Sequence, residues 1–577
     1  MHQPITRMAY FGSVALASGW IASTLRFAAI LAFYALTAPE NHYESWDAYW
    51  YALAVQQYGL TEIFDTRSIL YHVINRLLFV SANALGFDLT GYAVVWIVSV
   101  VSAALCLLLL VRLLTRGFGV SAVASWLTAG MLGVSYGFWR YAAEGELYAP
   151  SAFLIVAVLN LVFDADKRAH GRWPSVLPAA LLAGAAVLYY QPNAIPLFLA
   201  IPVLFLARDR LAWLVAYGAF GSAVVVLGYV VAYMVSKPDP LAPLAVIEFV
   251  ASRSSELPIK PLDTNLLVQS VISSGHMILS TNWIYGIDEF AAAVAKMQPW
   301  RPLKEEIYAA AQFRPFVYLP VIILPTVVAA LLWALWRAIG AGVPHPFNRR
   351  IAYCLVWLAV FAAVVGWLQP GGFESKILML LPLAMLFAIY VVEPCVSSRR
   401  ARAPAALLIL TLLYNTFGGM GIVQSSKGDY LRAKAAWLIA NATQDDLVVL
   451  IGKDARLEHF IRYAAGTRII AMSGPARSRV ASGERVGPNL LQFFIDETRE
   501  RCGRVFVFDE FFTPSDELAV KAPKRYAFAR DVAAEFSGRE RLVFSNDAGQ
   551  TYEITFEEGA ARRPPENPCL DRAADHY

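Results

Sequence analysis

The first polar segment of the chain begins with a cluster of ionisable side chains. Glu40, His42, Glu44 and Asp47 fall within eight residues, directly after an apolar block. Asp47 begins an amphipathic stretch whose other side chains are apolar or aromatic. It is therefore either the N-cap of a helix or a general base held against the membrane. For Glu40 and Glu44 the competing interpretation is a solvated loop.

A second acidic cluster lies in the short segment between two later apolar blocks. Glu144 and Glu146 follow Arg140, and Glu146 lies where the next block begins. Ionisable groups at the depth of the bilayer interface are costly to bury and indicate function. The competing interpretation is that Glu146 only complements the N-terminal dipole of the following helix.

Polar residues also occur at two other places in this sequence. Asn75 and Arg76 follow His72 by three and four residues, which places all three side chains on one side of a helix. Gln191 and Asn193 interrupt an otherwise apolar run. We regard these side chains as candidates for lining a cavity.

Lys376 stands at the start of a late apolar block, two residues after Glu374. A lysine at that depth is often an anchor whose ammonium group reaches back to the interface. It is equally able to hold a phosphate or to pair with Glu374. The residues alone leave these three roles open.

Long apolar blocks must position these side chains. Of the 577 residues, 58% are hydrophobic and 16% are charged, and the mean hydropathy is +0.50. The blocks are about 20 residues long, enough to cross a bilayer core as a helix. The sequence predicts a polytopic α-helical membrane protein with about eleven transmembrane helices. The predicted spans are 11–38, 90–112, 119–138, 146–163, 175–190, 192–207, 211–235, 315–337, 350–368, 377–394 and 402–424.

The distribution of positive charge predicts the orientation. Arginine and lysine cluster in every second short loop, whereas the opposite short loops hold Arg140 and little else that is cationic. The positive-inside rule places the cationic loops and the N-terminus in the cytoplasm, and an odd number of spans places the C-terminus outside. The long segments 39–89, 236–314 and 425–577 then share the external face. We expect a multi-pass protein of the inner (plasma) membrane with a periplasmic C-terminal domain.

Residues 425–577 are predicted to form a soluble α/β domain after a membrane core of residues 1–424. Apolar runs typical of strands alternate with helical patterns, which favours a partly parallel sheet covered by helices. Cys502 and Cys569 lie in this domain and form either a disulfide or two unpaired thiols. The predicted strands are 447–451, 468–472, 504–508, 541–544 and 552–556, and the predicted helices lie near 430–441, 455–464, 488–500 and 524–536.

Several classes of function lack support in the sequence. The net charge of +4 is too small to indicate nucleic-acid binding. No spacing of His, Cys, Asp and Glu matches a structural zinc site, and no nucleophile elbow or Walker loop is present. The sequence establishes no cofactor and leaves a divalent metal open.

Three segments together resemble the GT-C superfamily of membrane glycosyltransferases. They are WDAYWYA at 46–52, YHVINRLL at 71–78 and AEGELYA at 143–149. The resemblance is to members that use a polyprenyl-phosphate-linked sugar, such as protein O-mannosyltransferases and aminoarabinose transferases, and it covers about the first 210 residues. FESKILMLLP at 373–382 is similar to a late basic element of those relatives. The resemblance implies a multi-span core with a large first external loop, often followed by a soluble domain.

The resemblance also implies roles for the main candidates. Asp47 corresponds to the family's first-loop acid, the general base, and Glu146 to its second acid, which orients the acceptor or a metal. Lys376 is expected to contact the phosphate of the lipid-linked donor, together with Arg140 or Arg76.

The other candidates correspond less closely to the family. Glu144, Glu44 and His42 are expected to orient the acceptor or a metal. His72 is expected near the donor phosphate, although the His-Pro-Pro motif that is frequent in the family lacks its prolines here.

The implied function is inverting transfer of a sugar from a polyprenyl-phosphate donor to a hydroxyl of a lipid, glycan or protein acceptor. One carboxylate deprotonates the acceptor, and positive charge or a metal stabilises the departing phosphate. A transporter or flippase of a lipid-linked or anionic solute is one alternative, and a noncatalytic membrane scaffold is another. The absence of repeated halves disfavours the transporter, and the presence of both Asp47 and Glu146 disfavours the scaffold. The sugar, the acceptor and the role of the C-terminal domain stay open.

Overall fold

The chain divides into two units in the computed structural model. The membrane unit comprises residues 1–40, 51–283 and 313–424, and the C-terminal unit comprises residues 41–50, 284–312 and 425–577. The structure describes residues 5–41, 47–59, 61–167, 176–205, 210–237, 242–251, 264–297, 304–342, 347–368, 376–450, 455–471, 489–513 and 523–556.

Helices account for most of the described residues of the membrane unit. Most of these helices carry apolar side chains on every side, as expected of helices that pack against other helices or lipid rather than water. In chain order the helices up to residue 424, which include two of the C-terminal unit (α12 and α13), are α1 (Ile5–Leu36), α2 (Asp47–Gln57), α3 (Ile69–Ala84), α4 (Gly91–Arg112), α5 (Ala122–Val134), α6 (Tyr136–Ala142), α7 (Tyr148–Lys167), α8 (Leu177–Tyr189), α9 (Leu211–Ser236), α10 (Pro243–Ala251), α11 (Thr264–Ile278), α12 (Asp288–Met297), α13 (Lys304–Gln312), α14 (Leu319–Ala341), α15 (Arg349–Leu368), α16 (Ile377–Phe387), α17 (Glu393–Ser397), α18 (Arg402–Asn415) and α19 (Gly421–Gln424).

Seven helical stretches among the described residues are long and apolar enough to cross a membrane. The other four predicted spans coincide with shorter apolar helices. The prediction of a polytopic α-helical membrane protein is therefore confirmed. The seven stretches are Gly91–Phe118, Tyr148–Ala165, Leu211–Ser236, Arg314–Ala341, Arg349–Trp367, Ile377–Ser397 and Arg402–Gln424, and the shorter helices are Ile21–Leu36, Ala122–Val134, Leu177–Tyr189 and Gln191–Phe205.

The C-terminal end of α2 is fixed by its neighbours in the membrane unit. The Arg76 guanidinium of α3 donates to the carbonyl oxygens of Val55 (2.6 Å) and Gln56 (3.0 Å), which the last turn of a helix leaves without intrahelical partners. A Cβ at Gly91, the first residue of α4, would lie 2.3 Å from the Ala52 carbonyl oxygen. Only glycine permits this approach. Arg76, predicted to bind phosphate, therefore serves as a C-cap of α2.

The C-terminal unit contains a five-stranded mixed sheet in the order β2-β1-β3-β5-β4. The first three strands in the chain are parallel, whereas β5 is antiparallel to both β3 and β4. This matches the predicted strands and the predicted partly parallel sheet. The strands are β1 (Leu447–Leu450), β2 (Arg468–Ala471), β3 (Val505–Phe508), β4 (Glu540–Asn546) and β5 (Gly549–Ile554), and the helices are α20 (Tyr430–Asn441), α21 (Ala455–Ala465), α22 (Asn489–Glu500), α23 (Asp509–Phe512) and α24 (Pro523–Phe536).

Helices cover both faces of this sheet. On one face, the Trp437 ring of α20 packs against Phe506 of β3 with ring centroids 5.0 Å apart. On the other face, α22, α23 and α24 cover a core of apolar side chains. Successive side chains of β1 and β3 point to opposite faces of the sheet. Because both faces are covered by helices, both strands are apolar throughout. This core contains Leu447, Val449, Val505, Val507, Leu491, Ile495, Phe511, Val532 and Phe536.

A buried lysine connects α20 to α23. The Lys434 ammonium lies 3.3 Å from an Asp509 oxygen, is bonded to Glu510, and has a side chain only 2% exposed. Desolvation would raise the pKa of the Glu510 carboxyl, but the Lys434 charge and hydrogen bonds from Asp509 and Lys434 lower it to about 2. Desolvation and the hydrogen bond with Glu510 raise the pKa of Asp509. The three groups thus hold the carboxyl end of β3 to α20 as one charged cluster.

We expect Glu510→Gln to destabilise the C-terminal unit at neutral pH by about 1–2 kcal/mol, because it removes the anion beside Lys434. A carboxyl with a depressed pKa stabilises the fold above its unfolded pKa, and that stability is lost as pH falls towards the folded pKa. For Glu510 the window is about pH 4.5 to 2. The raised pKa of Asp509 has the opposite sign and offsets part of this loss.

The full chain is unfolded with urea in detergent, and the unfolding is monitored by the amide-exchange protection of β3. This measures both the loss of stability at neutral pH and its dependence on pH. The Glu510→Gln variant should lose less stability than wild type between pH 4.5 and 2.5. The control is Asp531→Asn, since the Asp531 side chain is 73% exposed. Equal acid sensitivity of Glu510→Gln and wild type would show that this cluster does not control the acid response.

Candidate functional site

The segment joining α6 to α7 is buried along its whole length. Arg140 and Glu144 are fully buried, and Glu146 is 1% exposed. The Arg140 Nη1 lies 2.5 Å from the Glu144 Oε1. Burying such a pair requires each charge to be compensated by the other, because an isolated buried charge is far more costly. Arg140 and the first of the two acids after it, Glu144, therefore form a buried ion pair inside the membrane unit, and Glu146 is buried two residues further along the chain.

The backbone around Glu146 is fastened to α4. The Glu146 N–H donates to the Ser99 Oγ (3.0 Å), and the Ser99 hydroxyl donates to the Glu146 carbonyl oxygen (2.6 Å). The Trp96 indole donates to the Ala143 carbonyl oxygen at 3.0 Å. Together these bonds pair backbone groups of the segment between α6 and α7 and hold the backbone of Glu146 against α4.

Gly145 permits this close approach to α4. A Cβ at Gly145 would lie 2.6 Å from the Val95 Cγ2, too close for any real side chain. The Gly145 carbonyl oxygen also accepts a hydrogen bond from the Tyr71 hydroxyl of α3 (3.4 Å). The glycine between the two acids is thus a packing requirement of the segment.

We expect Gly145→Ala to lower the free energy of unfolding by about 1–3 kcal/mol, because the added methyl group overpacks the contact with Val95. Thermal unfolding in detergent measures the change. Gly218→Ala is the matched control, because a Cβ at Gly218, inside α9, has no atom within 4 Å. An unfolding midpoint for Gly145→Ala equal to that of Gly218→Ala would contradict the tight contact.

Aromatic rings surround His72 on α3. The His72 ring lies 5.5 Å from the Tyr51 ring and 5.4 Å from the Tyr71 ring, and Tyr71 contacts Tyr189 of α8 at 5.4 Å. Burial lowers the pKa of His72 to about 4, against the opposing charge of Asp65. At neutral pH the imidazole is therefore uncharged. It therefore carries no positive charge with which to bind the donor phosphate.

Lys376 lies immediately before α16 and is 1% exposed. Its ammonium group donates to the Ser273 hydroxyl of α11. Helix α11 also packs on α6, where a Cβ at Gly137 would lie 2.3 Å from the Met277 Sδ. One helix therefore contacts both Lys376 and the helix that carries Arg140.

Several side chains near α11 were not identified from the sequence. The His276 ring lies 4.8 Å from the Tyr136 ring, and the Asn282 amide donates to the Tyr136 hydroxyl at 2.7 Å. The Asn415 amide nitrogen donates to the carbonyl oxygens of Val134 and Ile278. These contacts join segments that are more than 130 residues apart in the chain, so no local pattern indicates them.

Gln191 lines a large apolar cavity in the membrane unit. Its amide donates to the Tyr229 hydroxyl (2.7 Å) and to the Thr66 carbonyl oxygen (3.0 Å). The cavity is about 880 Å³, and valine, isoleucine and alanine side chains of α9 and α10 form most of its wall. Asn193 does not line it; the Asn193 amide donates to the Ala186 carbonyl oxygen at 2.8 Å and closes the end of α8.

Asp47 is the first residue of α2 and is half-buried. Within the C-terminal unit, the next aromatic residue, Tyr49, packs against Phe460 (5.0 Å) and Tyr463 (5.5 Å) of α21. The Asn41 amide donates to the Gly428 carbonyl oxygen at 2.6 Å. The C-terminal unit therefore holds the chain on both sides of the predicted first-loop acids.

Two of those predicted acceptor residues, His42 and Glu44, lie outside the described residues, as does Glu374. Within the described ranges, no group of three or more His, Cys, Asp or Glu side chains is arranged to hold a metal ion.

Comparison with known proteins yields structural similarities only. No protein-family model matches the sequence, and no curated protein matches it significantly. The chain is similar to ArnT from Cupriavidus metallidurans bound to undecaprenyl phosphate, with a TM-score of 0.48 and 12% identity, over 93% of this chain and 98% of that chain. ArnT in the apo state gives a TM-score of 0.42 and 14% identity over the same shares.

A third similarity is to the Archaeoglobus fulgidus oligosaccharyltransferase tethered with an acceptor peptide. The TM-score is 0.42 and the identity 12%, over 92% of this chain and 74% of that chain. The three structures share at most 14% sequence identity with this chain. At these identities and TM-scores, neither their ligands nor their functional residues are carried over to this chain.

Proposed function

We propose that this chain is an inverting glycosyltransferase. It moves a sugar from a polyprenyl-phosphate-linked donor to a hydroxyl of a lipid, glycan or protein acceptor on the external face of the membrane. The observation that supports this best is the burial of Arg140, Glu144, Glu146 and Lys376 in the membrane unit, each at most 1% exposed. Charges this deep in a helical membrane protein are costly and serve function by default.

The donor side of the proposed reaction needs positive charge and an apolar channel. Lys376 and Arg140 supply the charge that stabilises the departing phosphate. Lys376 donates to the Ser273 hydroxyl of α11, and the charge of an ammonium group strengthens its hydrogen bonds to phosphate oxygens. The apolar cavity of about 880 Å³ beside Gln191 offers a wall of aliphatic side chains to the polyprenyl chain.

The acceptor side needs a base. In the proposed step the Asp47 carboxylate takes the proton of the acceptor hydroxyl, and the acceptor oxygen forms a bond to the anomeric carbon. The bond from that carbon to the phosphate oxygen breaks, and its electrons stay on the lipid phosphate. One displacement inverts the anomeric centre, and Glu146 orients the acceptor.

We further propose that residues 425–577 form an extracytoplasmic domain after a membrane core of residues 1–424, with a cytoplasmic N-terminus in the inner membrane. Cys502 is disulfide-bonded, which supports an oxidising compartment, where disulfides persist. The contacts of Tyr49 with α21 support a role for this domain in holding Asp47 in place.

We expect Tyr49→Ala to lower the turnover of sugar transfer roughly 10- to 100-fold, because the helix start that carries Asp47 loses its support and a small displacement of a catalytic group is costly. Steady-state transfer by the purified chain measures this. Tyr49→Phe keeps the ring contacts with Phe460 and Tyr463 and should retain near wild-type turnover. Equal losses in the two variants would argue against support by ring packing.

Reconstitution into vesicles with a labelled polyprenyl-phosphate sugar and a pool of acceptors tests the function. The proposal requires transfer of label from the lipid to an acceptor and release of polyprenyl phosphate. Movement of the labelled lipid between leaflets without transfer would identify a flippase. If the chain neither moves the labelled lipid between leaflets nor transfers its sugar with any donor, a scaffold is favoured.

A further inference from the structure

Three tyrosine rings form a row that ends at the segment between α6 and α7. The Tyr71 ring of α3 lies 4.8 Å from the Tyr51 ring of α2 and 5.4 Å from the Tyr189 ring at the end of α8. The Tyr71 hydroxyl donates to the carbonyl oxygen of Gly145, the glycine between the two acids of the candidate site. Tyr189 is therefore one ring away from that site.

A second row of tyrosine rings reaches the same segment. Tyr148, the first residue of α7, follows Glu146 by two residues. Its ring lies 5.2 Å from the Tyr141 ring of α6 and 5.6 Å from the Tyr190 ring. Tyr190 directly follows Tyr189 in the chain. The end of α8 thus contributes one ring to each row, and the two rows meet at the segment that carries Glu146.

The hydroxyl group of Tyr189 is buried together with its ring. Tyr189 is 4% exposed, and its hydroxyl oxygen has no hydrogen-bond partner among the described residues. An unpaired buried hydroxyl is costly, and nearly all buried polar groups of native proteins are paired. Phenylalanine at this position would keep the ring contact with Tyr71 without that cost. The hydroxyl therefore indicates a ligand that pairs with it.

The rings joined to Tyr189 carry no charge. Beside Tyr71, the His72 ring lies 5.4 Å away and is uncharged at neutral pH, because burial lowers its pKa to about 4. Tyrosine offers an apolar ring face and a hydroxyl that both donates and accepts hydrogen bonds. A sugar presents the complementary groups, C–H groups on its faces and hydroxyl groups at its edges. The first row therefore suits a sugar hydroxyl better than a charged group, which needs a counter-charge when it is buried.

We propose that the Tyr189 hydroxyl binds a hydroxyl group of the sugar that the chain transfers, and that Tyr189 thereby contributes to the choice of sugar. This inference rests on the proposed function, because it assumes that a sugar donor is held beside Glu146. A sugar that lacks the contacted hydroxyl would leave the phenol unpaired. Sites built to pair with a substrate hydroxyl reject analogues without it for this reason.

Sugar transfer by the full chain in vesicles tests the proposal with Tyr189→Phe and a set of modified donors. The parent donor is whichever of polyprenyl-phosphate glucose, mannose, galactose and arabinose is transferred fastest, and each modified donor lacks one hydroxyl of that sugar. For wild type, removal of one particular hydroxyl should lower kcat/KM roughly 3- to 10-fold, the contribution of one uncharged hydrogen bond. For Tyr189→Phe, kcat/KM with the parent donor should fall by a similar factor, and removal of the same hydroxyl should then change it less than about twofold.

Tyr217→Phe is the matched control. The Tyr217 hydroxyl of α9 is also buried without a hydrogen-bond partner in the part of the chain that the structure describes, but its ring packs against Phe198 and Phe205. This variant should discriminate among the donors as wild type does.

The outcomes separate the Tyr189 contact from the proposed function. If Tyr189→Phe shows the wild-type loss with every modified donor, the proposal is overturned while the proposed function stands. A rise in the KM for the acceptor alone would place the hydroxyl at the acceptor and overturn its assignment to the donor sugar. If Tyr189→Phe fails to fold, equal transfer of all the modified donors by wild type would overturn the proposal. No transfer by wild type from any of the four parent donors would contradict the proposed function, and this inference with it.

Discussion

Replacing Asp47 with asparagine is expected to lower the turnover of sugar transfer roughly 10²- to 10⁴-fold, the range that general base catalysis contributes. The amide keeps the size of the carboxyl group and is also accepted at a helix start, so α2 should form as in wild type. Transfer by the purified variant in vesicles measures the loss.

The matched control for this prediction is Asp88→Asn. Asp88 lies in the same polar segment of the chain, is exposed, and has a positive φ of 45°, a conformation that asparagine tolerates well. This variant should transfer sugar at the wild-type rate. If Asp47→Asn, folded and at normal abundance, matches Asp88→Asn in activity, Asp47 is not the base.

Breaking the buried Arg140–Glu144 pair is the second large effect that we expect. Glu144→Gln removes the carboxylate that faces the Arg140 charge, and Arg140→Gln removes the cation that faces Glu144, so each should lower the free energy of unfolding by about 3–5 kcal/mol. Arg140→Gln/Glu144→Gln contains no uncompensated charge at this pair. It should be more stable than either single variant.

Activity separates the structural role of the pair from the role proposed for Arg140. The double variant should regain stability but still transfer sugar roughly 10²- to 10³-fold more slowly than wild type, because positive charge near the leaving phosphate is missing. Thermal unfolding and transfer are measured on the same preparations. Additive destabilisation in the double variant would show that the two residues are not coupled, and wild-type transfer would remove Arg140 from the donor site.

The helices and strands were largely predictable because their signals are local. Seven predicted spans correspond to long apolar helices, since a run of apolar residues of that length has no other stable place than a bilayer or a large core. The strands of the C-terminal unit were also found, because β1 and β3 consist of apolar residues that alternate between two covered faces.

The contacts that build the candidate site were not predictable in the same way. The sequence indicated Glu146 and Lys376 from their depth in apolar blocks. It gave no sign that Ser99 holds the Glu146 backbone or that Ser273 binds Lys376, because these contacts join positions 47 and 103 residues apart. The structural role of Arg76 was also not predictable from the sequence. The resemblance implied that Arg76 contacts the donor phosphate, but no local pattern indicated the carbonyl oxygens of Val55 and Gln56 that it caps, because they lie about 20 residues earlier in the chain.

The stereochemistry of the transferred sugar tests the central claim most directly. A polyprenyl-phosphate sugar of defined anomeric configuration is supplied to the reconstituted chain, and the product is examined by NMR. The account predicts transfer with complete inversion at the anomeric carbon, dependent on Asp47, because one displacement by the acceptor oxygen replaces the lipid phosphate. Retention of configuration, or no transfer from a polyprenyl-phosphate donor, would contradict it.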